Sequence, residues 1–259
     1  MSTWIHHCGE RDVKRPDRFF FEPLEQFSEG DRLELDSREA AHAQRVKRHG
    51  VGSEVELFDG HGRVARALID AVSRRGELSL RIVELGRSPR PERRVWIATA
   101  VPKGDRMETM LDMLTQLGVF RLTPVVFARS AAQSGPGRQK RWRRVLVESC
   151  KQSRRGILPR LDEPRSLSEW LGEIGVAASG TRWLADPDGM SYERARADAE
   201  PGRRTEVLVV VGPEGGVTSA EKRDLIEFGF TPVALGDHVL RVETAAVAFA
   251  AALASVSEL

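Results

Sequence analysis

Apolar and polar residues alternate in short runs along the first third of the chain, with Gly, Asp and Ser between the runs. Leu78 and Leu80 show the period of two that is typical of half-buried β-strands. The runs are RFFFEPL, RLEL, EVELFDG, GRVARALI and ELSLRIVEL, and a short helix, SREAAHAQRVKR with Ser37 as its predicted N-cap, lies among them. We therefore expect a small β-barrel-like domain over residues 17–88, after a polar tail at 1–16.

After the proline- and arginine-rich segment 86–94, strands alternate with helices. Met107, Met110, Leu111 and Leu114 follow helical spacing in the segment that precedes QLGV. Strand patterns occur in VWIATAV, LTPVVF, TRWLAD, EVLVVVG and FTPVAL, and helix patterns in RWRRVLVESCKQ, SLSEWLGEIG, SAEKRDLIEF and ETAAVAFAAALAS, while SGPGRQ reads as a flexible loop. This alternation predicts an α/β domain with a mostly parallel sheet over residues 89–259.

The composition predicts a folded protein and argues against a membrane protein, a disulfide-rich protein and a metal-binding protein. The chain has 259 residues, 41% of them hydrophobic and 30% charged, so a packed core is expected. No run reaches the ~18 apolar residues of a membrane span, and the N-terminus lacks an apolar signal region, so we expect a cytoplasmic protein without a membrane partner. Cys8 and Cys150 are too few for a disulfide scaffold, and His6 and His7 read as solvated, so no metal site is predicted.

Positive charge is concentrated in the middle of the chain. Residues 91–165 carry 16 basic and 7 acidic side chains, a net +9, whereas residues 166–259 carry 8 and 15, a net −7. Between Arg138 and Arg160 there are nine basic residues, one acid and Trp142. A basic run with an aromatic residue indicates a phosphate-contacting surface. The alternative is an ordinary solvated face.

The strongest motif is GPEGG (212–216), which follows a buried strand and precedes a helix whose Thr218 and Glu221 form a predicted capping box. Its glycines let the backbone turn tightly and approach a ligand. The spacing is neither G-x-G-x-x-G nor that of a P-loop, which argues against a dinucleotide fold and a nucleotide hydrolase. By itself, the motif is equally consistent with a plain strand-to-helix turn.

A second glycine loop, LGDHVLRVET (235–244), follows the next strand and opens an alanine-rich helix. Two such loops at the carboxyl ends of two late strands favour a joint ligand site, with Arg241, Glu243 and Thr244 as its polar members. The small side chains of the last helix allow close packing within the chain or across a dimer. Lys103 and Arg106 lie at an earlier strand-to-helix turn, where backbone amides and cations hold anions.

The chain resembles the ribosomal RNA small subunit methyltransferase E family of the SPOUT methyltransferase superfamily over nearly its whole length. The segments that carry this resemblance are RFF, LFDGHGRVARALI, KGDRME, QLGV, GPEGG and LGDHVLRVETA. The resemblance implies a PUA-like β-barrel, then an α/β domain whose C-terminal segment forms a trefoil knot, and a homodimer. It also implies methyl transfer from S-adenosylmethionine to N3 of a uridine in small-subunit (16S) ribosomal RNA or in the small ribosomal subunit.

The resemblance and the basic pattern give the site residues. The predicted cofactor-binding residues are Gly212, Pro213, Glu214, Gly215, Gly216, Leu235, Gly236, Leu240, Arg241, Glu243 and Thr244. The predicted RNA-binding residues are Arg18, Arg45, Lys47, Arg48, Lys103, Arg106, Arg141, Arg144, Lys151, Arg154 and Arg155. Arg241 is the predicted stabiliser of charge on the uracil oxygens, and Glu214 either orients the site or accepts a proton.

Two positions depart from the family pattern. Gln116 replaces a Glu before Leu-Gly-Val, which removes a possible ion pair, and Lys151 replaces a Glu before Gln152, which we expect to extend the basic face. Two rival functions remain at this point. One is a SPOUT methyltransferase that acts on another RNA or on a ribose 2′-oxygen, and the other is a non-catalytic RNA-binding factor of ribosome assembly.

Overall fold

A computed structural model describes residues 15–45, 49–73, 77–90, 93–130, 136–176, 180–199 and 206–254. The chain forms two compact units. The first contains Met1–Arg90 and Cys150–Leu158, and the second contains Pro91–Ser149 and Pro159–Leu259. The segment 150–158, which the sequence pattern assigned to the second domain, is therefore grouped with the first unit.

The first unit is built on one five-stranded sheet. Its elements are β1 (Asp17–Phe20), β2 (Arg32–Leu35), α1 (Ser37–Arg45), β3 (Glu54–Phe58), β4 (Arg63–Val72) and β5 (Leu78–Arg87). The strand order is β1-β3-β4-β5-β2, antiparallel except for the β1–β3 pair. The alternating apolar residues face one core that includes Phe19, Leu57 and Leu80, because successive side chains of a strand point to opposite faces.

Backbone hydrogen bonds attach segment 150–158 to this unit. Leu158 N donates to Gly60 O at 2.9 Å, and Gly62 N donates to Gly156 O at 3.0 Å. A Cβ on Gly60 would lie 2.2 Å from Leu158 Cδ1, so the turn after β3 needs glycine for this close approach.

The second unit alternates strands and helices, as the sequence pattern predicts. Its elements are β6 (Arg94–Thr99), α2 (Arg106–Gln116), β7 (Arg121–Val126), α3 (Pro136–Ser153, whose last residues belong to the first unit), β8 (Arg160–Leu161), β9 (Arg165–Ser166), α4 (Leu167–Ile174), β10 (Thr181–Ser191), α5 (Tyr192–Asp198), β11 (Glu206–Val211), α6 (Ser219–Glu227), β12 (Thr231–Ala234) and α7 (Val242–Ala254).

The sheet of the second unit is parallel, in the order β12-β10-β11-β6-β7-β8, and β9 also pairs with β7. The mixed α/β class and the mostly parallel sheet are thus confirmed. One core contains side chains of the sheet, α4 and α6, with Trp96 and Trp170 edge to face at 5.9 Å. Helix α7 packs against β6, β11 and α2.

Local details differ from the sequence predictions in four places. Asp36, not Ser37, caps α1, because Asp36 Oδ1 accepts from the Glu39 amide at 2.9 Å. Residues 136–139, expected in a loop, form the first turn of α3, which begins at Pro136, where the missing N–H costs no helical hydrogen bond. Strand β10 extends to Ser191, and α5 was not predicted. The predicted capping box of Thr218 and Glu221 is present at the start of α6, and Ser166 and Glu169 form another at the start of α4.

In the part of the chain that the structure describes, no helix combines the length and apolar character needed to cross a bilayer. The same residues contain no group of three or more His, Cys, Asp or Glu side chains arranged to hold a metal ion.

Candidate functional site

A cleft of about 360 Å³ lies at the carboxyl ends of three adjacent parallel strands. Because β10 lies between β11 and β12 in the sheet, the segments that end or follow these strands meet at one edge. This edge is the usual ligand position in α/β folds. The two glycine loops that the sequence singled out therefore lie in the same cleft.

Seven of the predicted cofactor residues line this cleft. They are Gly212, Pro213, Glu214, Gly216, Leu235, Gly236 and Leu240. The first turns of α7 complete one wall with Val242, Ala245 and Phe249. The lining combines backbone of two glycine loops with apolar side chains and a few charged groups, a composition typical of small-molecule sites.

The other four predicted cofactor residues do not line the cleft. Gly215 faces Arg129, since a Cβ there would lie 3.0 Å from Arg129 Cβ, and its glycine is explained by this packing. Arg241 and Thr244 are exposed, and the Arg241 carbonyl accepts from the Ala245 amide at 2.8 Å at the start of α7. Glu243 points to an ion pair with Arg106.

The loop after β7 holds the GPEGG loop from outside the cleft. Arg129 Nη1 donates to Gly215 O at 3.0 Å, and the Ala128 amide donates to the Glu221 carboxylate at 2.7 Å. Burial acts to raise the pKa of Glu221, but hydrogen bonds from the Ala128 and Thr218 amides and the Thr218 hydroxyl outweigh burial and lower that pKa. No sequence pattern indicated this support, because Arg129 is far from GPEGG along the chain.

Arg106 connects the two glycine loops instead of standing free. Its Nη2 lies 3.3 Å from Glu214 Oε1 and its Nη1 lies 3.4 Å from Glu243 Oε1. Its Nε donates to the Lys103 carbonyl at 3.1 Å, which fixes the guanidinium at the start of α2. The predicted anion-binding role of Arg106 is therefore replaced by a link between two carboxylates.

An irregular segment within β10, which sequence reasoning missed, completes the cleft; the pairing of β10 with β12 shifts register between Ala185 and Met190. Residues Ala185 to Asp188 line the cleft, and Asp186 forms an ion pair of 2.5 Å with Lys222 on α6. A Cβ on Gly189 would lie only 2.4 Å from the Pro232 carbonyl carbon, so this glycine permits the close approach of β10 and β12. The Asp-Pro-Asp-Gly sequence that follows the predicted strand was a signal that could have indicated this irregular segment.

Several predicted RNA contacts are buried in the first unit. Arg18 Nε lies 2.7 Å from Glu56 Oε1, with both side chains less than 10% exposed, and Arg154 Nη1 donates to Glu56 Oε2 at 3.2 Å. Lys151 lies 2.5 Å from Glu39, also buried. These cations compensate buried carboxylates, which corrects their assignment to an RNA surface and shows that Lys151 does not extend a basic face.

One more expectation about the basic segment needs correction. Trp142 is 2% exposed and belongs to the core, so it offers no stacking surface. Arg155 is half-buried, and desolvation lowers its pKa; its RNA contact stays a prediction. Gln116, in place of the family's Glu, donates to Asp112 Oδ2 at 3.0 Å within α2.

The remaining predicted RNA contacts fall into three groups. Lys103 and Arg144 are exposed. Arg141 is exposed but paired with Asp105 and Glu108. Lys47 and Arg48 lie outside the described residues, as does the side chain of Arg45 in α1.

Comparison with known proteins identifies the family. The RNA methyltransferase domain family matches residues 89–254. Ribosomal RNA small subunit methyltransferase E of Mycobacterium bovis is 31% identical over 218 residues, which cover 82% of each chain. The chain belongs to this methyltransferase family. The Bacillus subtilis member is 26% identical over 258 residues, 93% of this chain and 97% of its own.

Solved structures share the fold of this methyltransferase family. A Legionella pneumophila methyltransferase, solved with bound SAM, is 26% identical with a TM-score of 0.82, covering 93% of this chain and 98% of its own. A probable rRNA-methyltransferase of Porphyromonas gingivalis is also 26% identical, with a TM-score of 0.79 over 93% and 98% of the two chains. The resemblance that the motifs indicated is thereby confirmed.

Proposed function

We propose that this chain transfers a methyl group from S-adenosylmethionine to N3 of a uridine in small-subunit ribosomal RNA, in the cytoplasm. The observation that carries the proposal is the cleft that two glycine loops form at one sheet edge. Its volume of about 360 Å³ lies within the range of roughly 300–1,000 Å³ typical of small-molecule sites. The similarity to methyltransferases named for this substrate supports the RNA.

The lining fits an adenosyl cofactor. Gly212, Gly216 and Gly236 offer backbone groups without side chains in the way, and Val242 and Phe249 offer apolar surface for a purine ring. The cofactor supplies an electrophilic methyl group when bound. We assign the seven lining residues of the two glycine loops to it, whereas Gly215 supports the loop from behind.

The chain's own residues then position the base. N3 lies on the pairing edge of uracil, so the uridine must be unpaired or flipped before it reaches the cleft. Arg241 is exposed at the end of the late glycine loop, where it can approach the uracil oxygens and stabilise negative charge as the proton leaves N3. Glu214, held by Arg106, orients the GPEGG loop.

RNA binding is assigned in the second unit to the exposed cations Lys103, Arg141 and Arg144. In the first unit, Arg45, Lys47 and Arg48 keep the role predicted for a PUA-like barrel. The five-stranded sheet of the first unit supports that fold type. Deletion of residues 1–90 alone would remove the sheet on which segment 150–158 packs, so charge reversal at Arg45, Lys47 and Arg48 is the better test.

We further propose the trefoil knot and the homodimer. After β11 the chain crosses to β12, which lies beyond β10 in the sheet, and then returns through α7, which packs against β6 and β11. This return path supports a C-terminal segment that passes through a loop of the chain, as a trefoil knot requires. Val239 in the late loop is 85% exposed, and an interface with a second copy would cover it. Sedimentation equilibrium tests the dimer, and a Val239→Glu variant should weaken it.

The experiment for the proposed activity uses small ribosomal subunits from cells that lack this protein. Incubation with the purified chain and S-adenosylmethionine should produce 3-methyluridine in nuclease-digested RNA, detected by mass spectrometry. A methyl group found on ribose or on another base would refute the proposed target atom, and no methylation of subunits or naked RNA would refute the activity.

A further inference from the structure

The carboxylate of Glu243 has one oxygen with a partner and one buried oxygen without one. Its Oε1 faces Arg106 Nη1 at 3.4 Å, whereas Oε2 is buried and has no hydrogen-bond partner among the residues that the structure describes. The side chain is only 13% exposed, so water does not readily replace the missing donor. A buried carboxylate oxygen without a donor is unusual in proteins and indicates that a ligand supplies one.

The groups around Glu243 do not supply that donor in the described part of the chain. Arg106 directs its Nε to Lys103 O and its Nη2 to Glu214, and only its Nη1 reaches Glu243, at Oε1. One guanidinium between two carboxylates also leaves one negative charge uncompensated. The arrangement therefore orients Glu243 and keeps it as an acceptor.

Glu243 is placed beside the cleft. It is in the first turn of α7, between Val242, which lines the cleft, and Ala245, which also lines it. Its partner Arg106 reaches Glu214, which lines the cleft from the GPEGG loop. Glu243 does not itself line the cleft, so a base at the rim shared by both glycine loops must uncover its buried Oε2 to reach it.

Other carboxylates near the cleft are less suitable. Glu214 is about a third exposed, so water competes for its oxygens, and Asp186 is paired with Lys222 at 2.5 Å. Glu39 also has a buried oxygen without a hydrogen-bond partner, but it lies in the first unit against Lys151. Glu243 alone among these combines a buried oxygen that has no hydrogen-bond partner with a position next to the cleft.

We propose that Glu243 is a catalytic residue that accepts the N3 proton of the target uridine, and that Arg106 is the positioning residue that holds it. This inference rests on the proposed function. The N3–H bond breaks and its proton passes to Oε2, while the electron pair on N3 forms the bond to the methyl carbon. The carbon–sulfur bond breaks and its electrons remain on sulfur, so the sulfonium becomes a neutral thioether.

The test compares two RNA substrates in single turnovers, with uridine or 5-fluorouridine at the target position. Fluorine makes the N3 proton more acidic, so a strong base is needed less. We expect Glu243→Gln to lose at least about 100-fold in rate on uridine, the scale of general base catalysis. We expect a loss on 5-fluorouridine at least tenfold smaller. Equal losses on both substrates would overturn the assignment, because a structural defect does not depend on the acidity of N3.

Controls separate this inference from the proposed function. Wild-type protein must methylate uridine; if it does not, the proposed function fails first. Glu193→Gln, an exposed acid in the first turn of α5, is the matched control and should leave both rates unchanged. Arg106→Gln should repeat the pattern of Glu243→Gln, whereas Arg106→Lys should restore part of the uridine rate. This pair also keeps the inference falsifiable if Glu243→Gln does not fold.

A binding measurement gives a readout without turnover. With S-adenosylhomocysteine present, wild-type protein should bind RNA with uridine several-fold more tightly than RNA with 3-deazauridine, in which C–H replaces N3–H. Glu243→Ala should lose this preference and keep its affinity for S-adenosylhomocysteine in calorimetry. An unchanged preference, or a loss of cofactor affinity alone, would contradict the role as proton acceptor.

Discussion

The sequence analysis singled out the glycine loops and the basic segment 138–160 as binding sites. The structure supports the glycine loops as a site far better than the basic segment. Seven of the eleven residues predicted from the loops line one cleft. In the basic segment, Lys151 and Arg154 compensate buried carboxylates and Trp142 is in the core. The difference arises because a glycine motif reports a backbone requirement, whereas a charge count contains no information about where the side chain points.

Buried charge in the first unit also changes what mutations there mean. Glu56 contacts both Arg18 and Arg154, and Arg154 Nη2 donates to the Pro16 carbonyl at 2.7 Å. These contacts attach segment 150–158 to β1 and β3. If an Arg154 variant lost RNA binding, the first explanation would therefore be unfolding of this unit and not the loss of a phosphate contact.

The largest effect that we expect is the loss of stability in Glu56→Ala. Removing Glu56 leaves Arg18 buried without its charge partner, which costs about 3–5 kcal/mol of unfolding free energy. Urea denaturation should show this loss. Glu54→Ala, two residues earlier on β3, removes an exposed partner of Arg66 and should cost less than about 1 kcal/mol. Equal losses of unfolding free energy in both variants would mean that the buried ion pair of Arg18 stabilises the unit no more than the exposed ion pair of Arg66.

The next effect concerns the cleft. Ala245→Leu adds a larger side chain to the wall that α7 contributes, and the volume that it takes from the cleft should weaken S-adenosylmethionine binding about tenfold or more in calorimetry, a loss of about 1.4 kcal/mol of binding free energy. Ala248→Leu, on the same helix but outside the cleft lining, is the control and should bind nearly as well as wild type. If the two variants bound equally, the cleft would not be the cofactor site.

A smaller effect is expected for exposed cations. Arg144→Gln should reduce RNA affinity and lower the slope of log affinity against log salt by about 1, the change expected for one lost phosphate contact. Fluorescence anisotropy at several salt concentrations measures both. Arg194→Gln, an exposed arginine paired with Asp198 on α5, should leave the slope unchanged. A slope that stays constant in Arg144→Gln would make this part of α3 an ordinary solvated face.

The smallest effect is a pH dependence from Cys150. Burial raises the pKa of this thiol to about 11, and nearby Arg155 and Arg18 only partly oppose it. Since an unfolded thiol has a pKa of about 8.5, the neutral buried form stabilises the fold fully below that pH, and this contribution is lost as pH rises towards the folded value. In a Cys8→Ser background, iodoacetamide should label Cys150 at pH 8 only after unfolding. Fast labelling of folded protein would contradict this burial.

Much of the fold followed from local patterns, and the misses have physical causes. The period of two in β5 and the apolar spacing in α2 predicted both elements, because these patterns record which face is buried. The path of residues 150–158 could not be predicted, since it depends on hydrogen bonds to Gly60 and Gly62, which are about 100 residues away. The Arg106 link between Glu214 and Glu243 likewise joins residues that only the folded sheet brings together.

The most direct test of the central claim is a crystal structure of this chain with S-adenosylhomocysteine. We predict that the ligand lies at the carboxyl ends of β10, β11 and β12, in contact with backbone of Gly212–Gly216 and Leu235–Leu240, with Arg106 still between Glu214 and Glu243. Ligand density elsewhere on the chain, or an unoccupied cleft at saturating ligand concentration, would contradict the account.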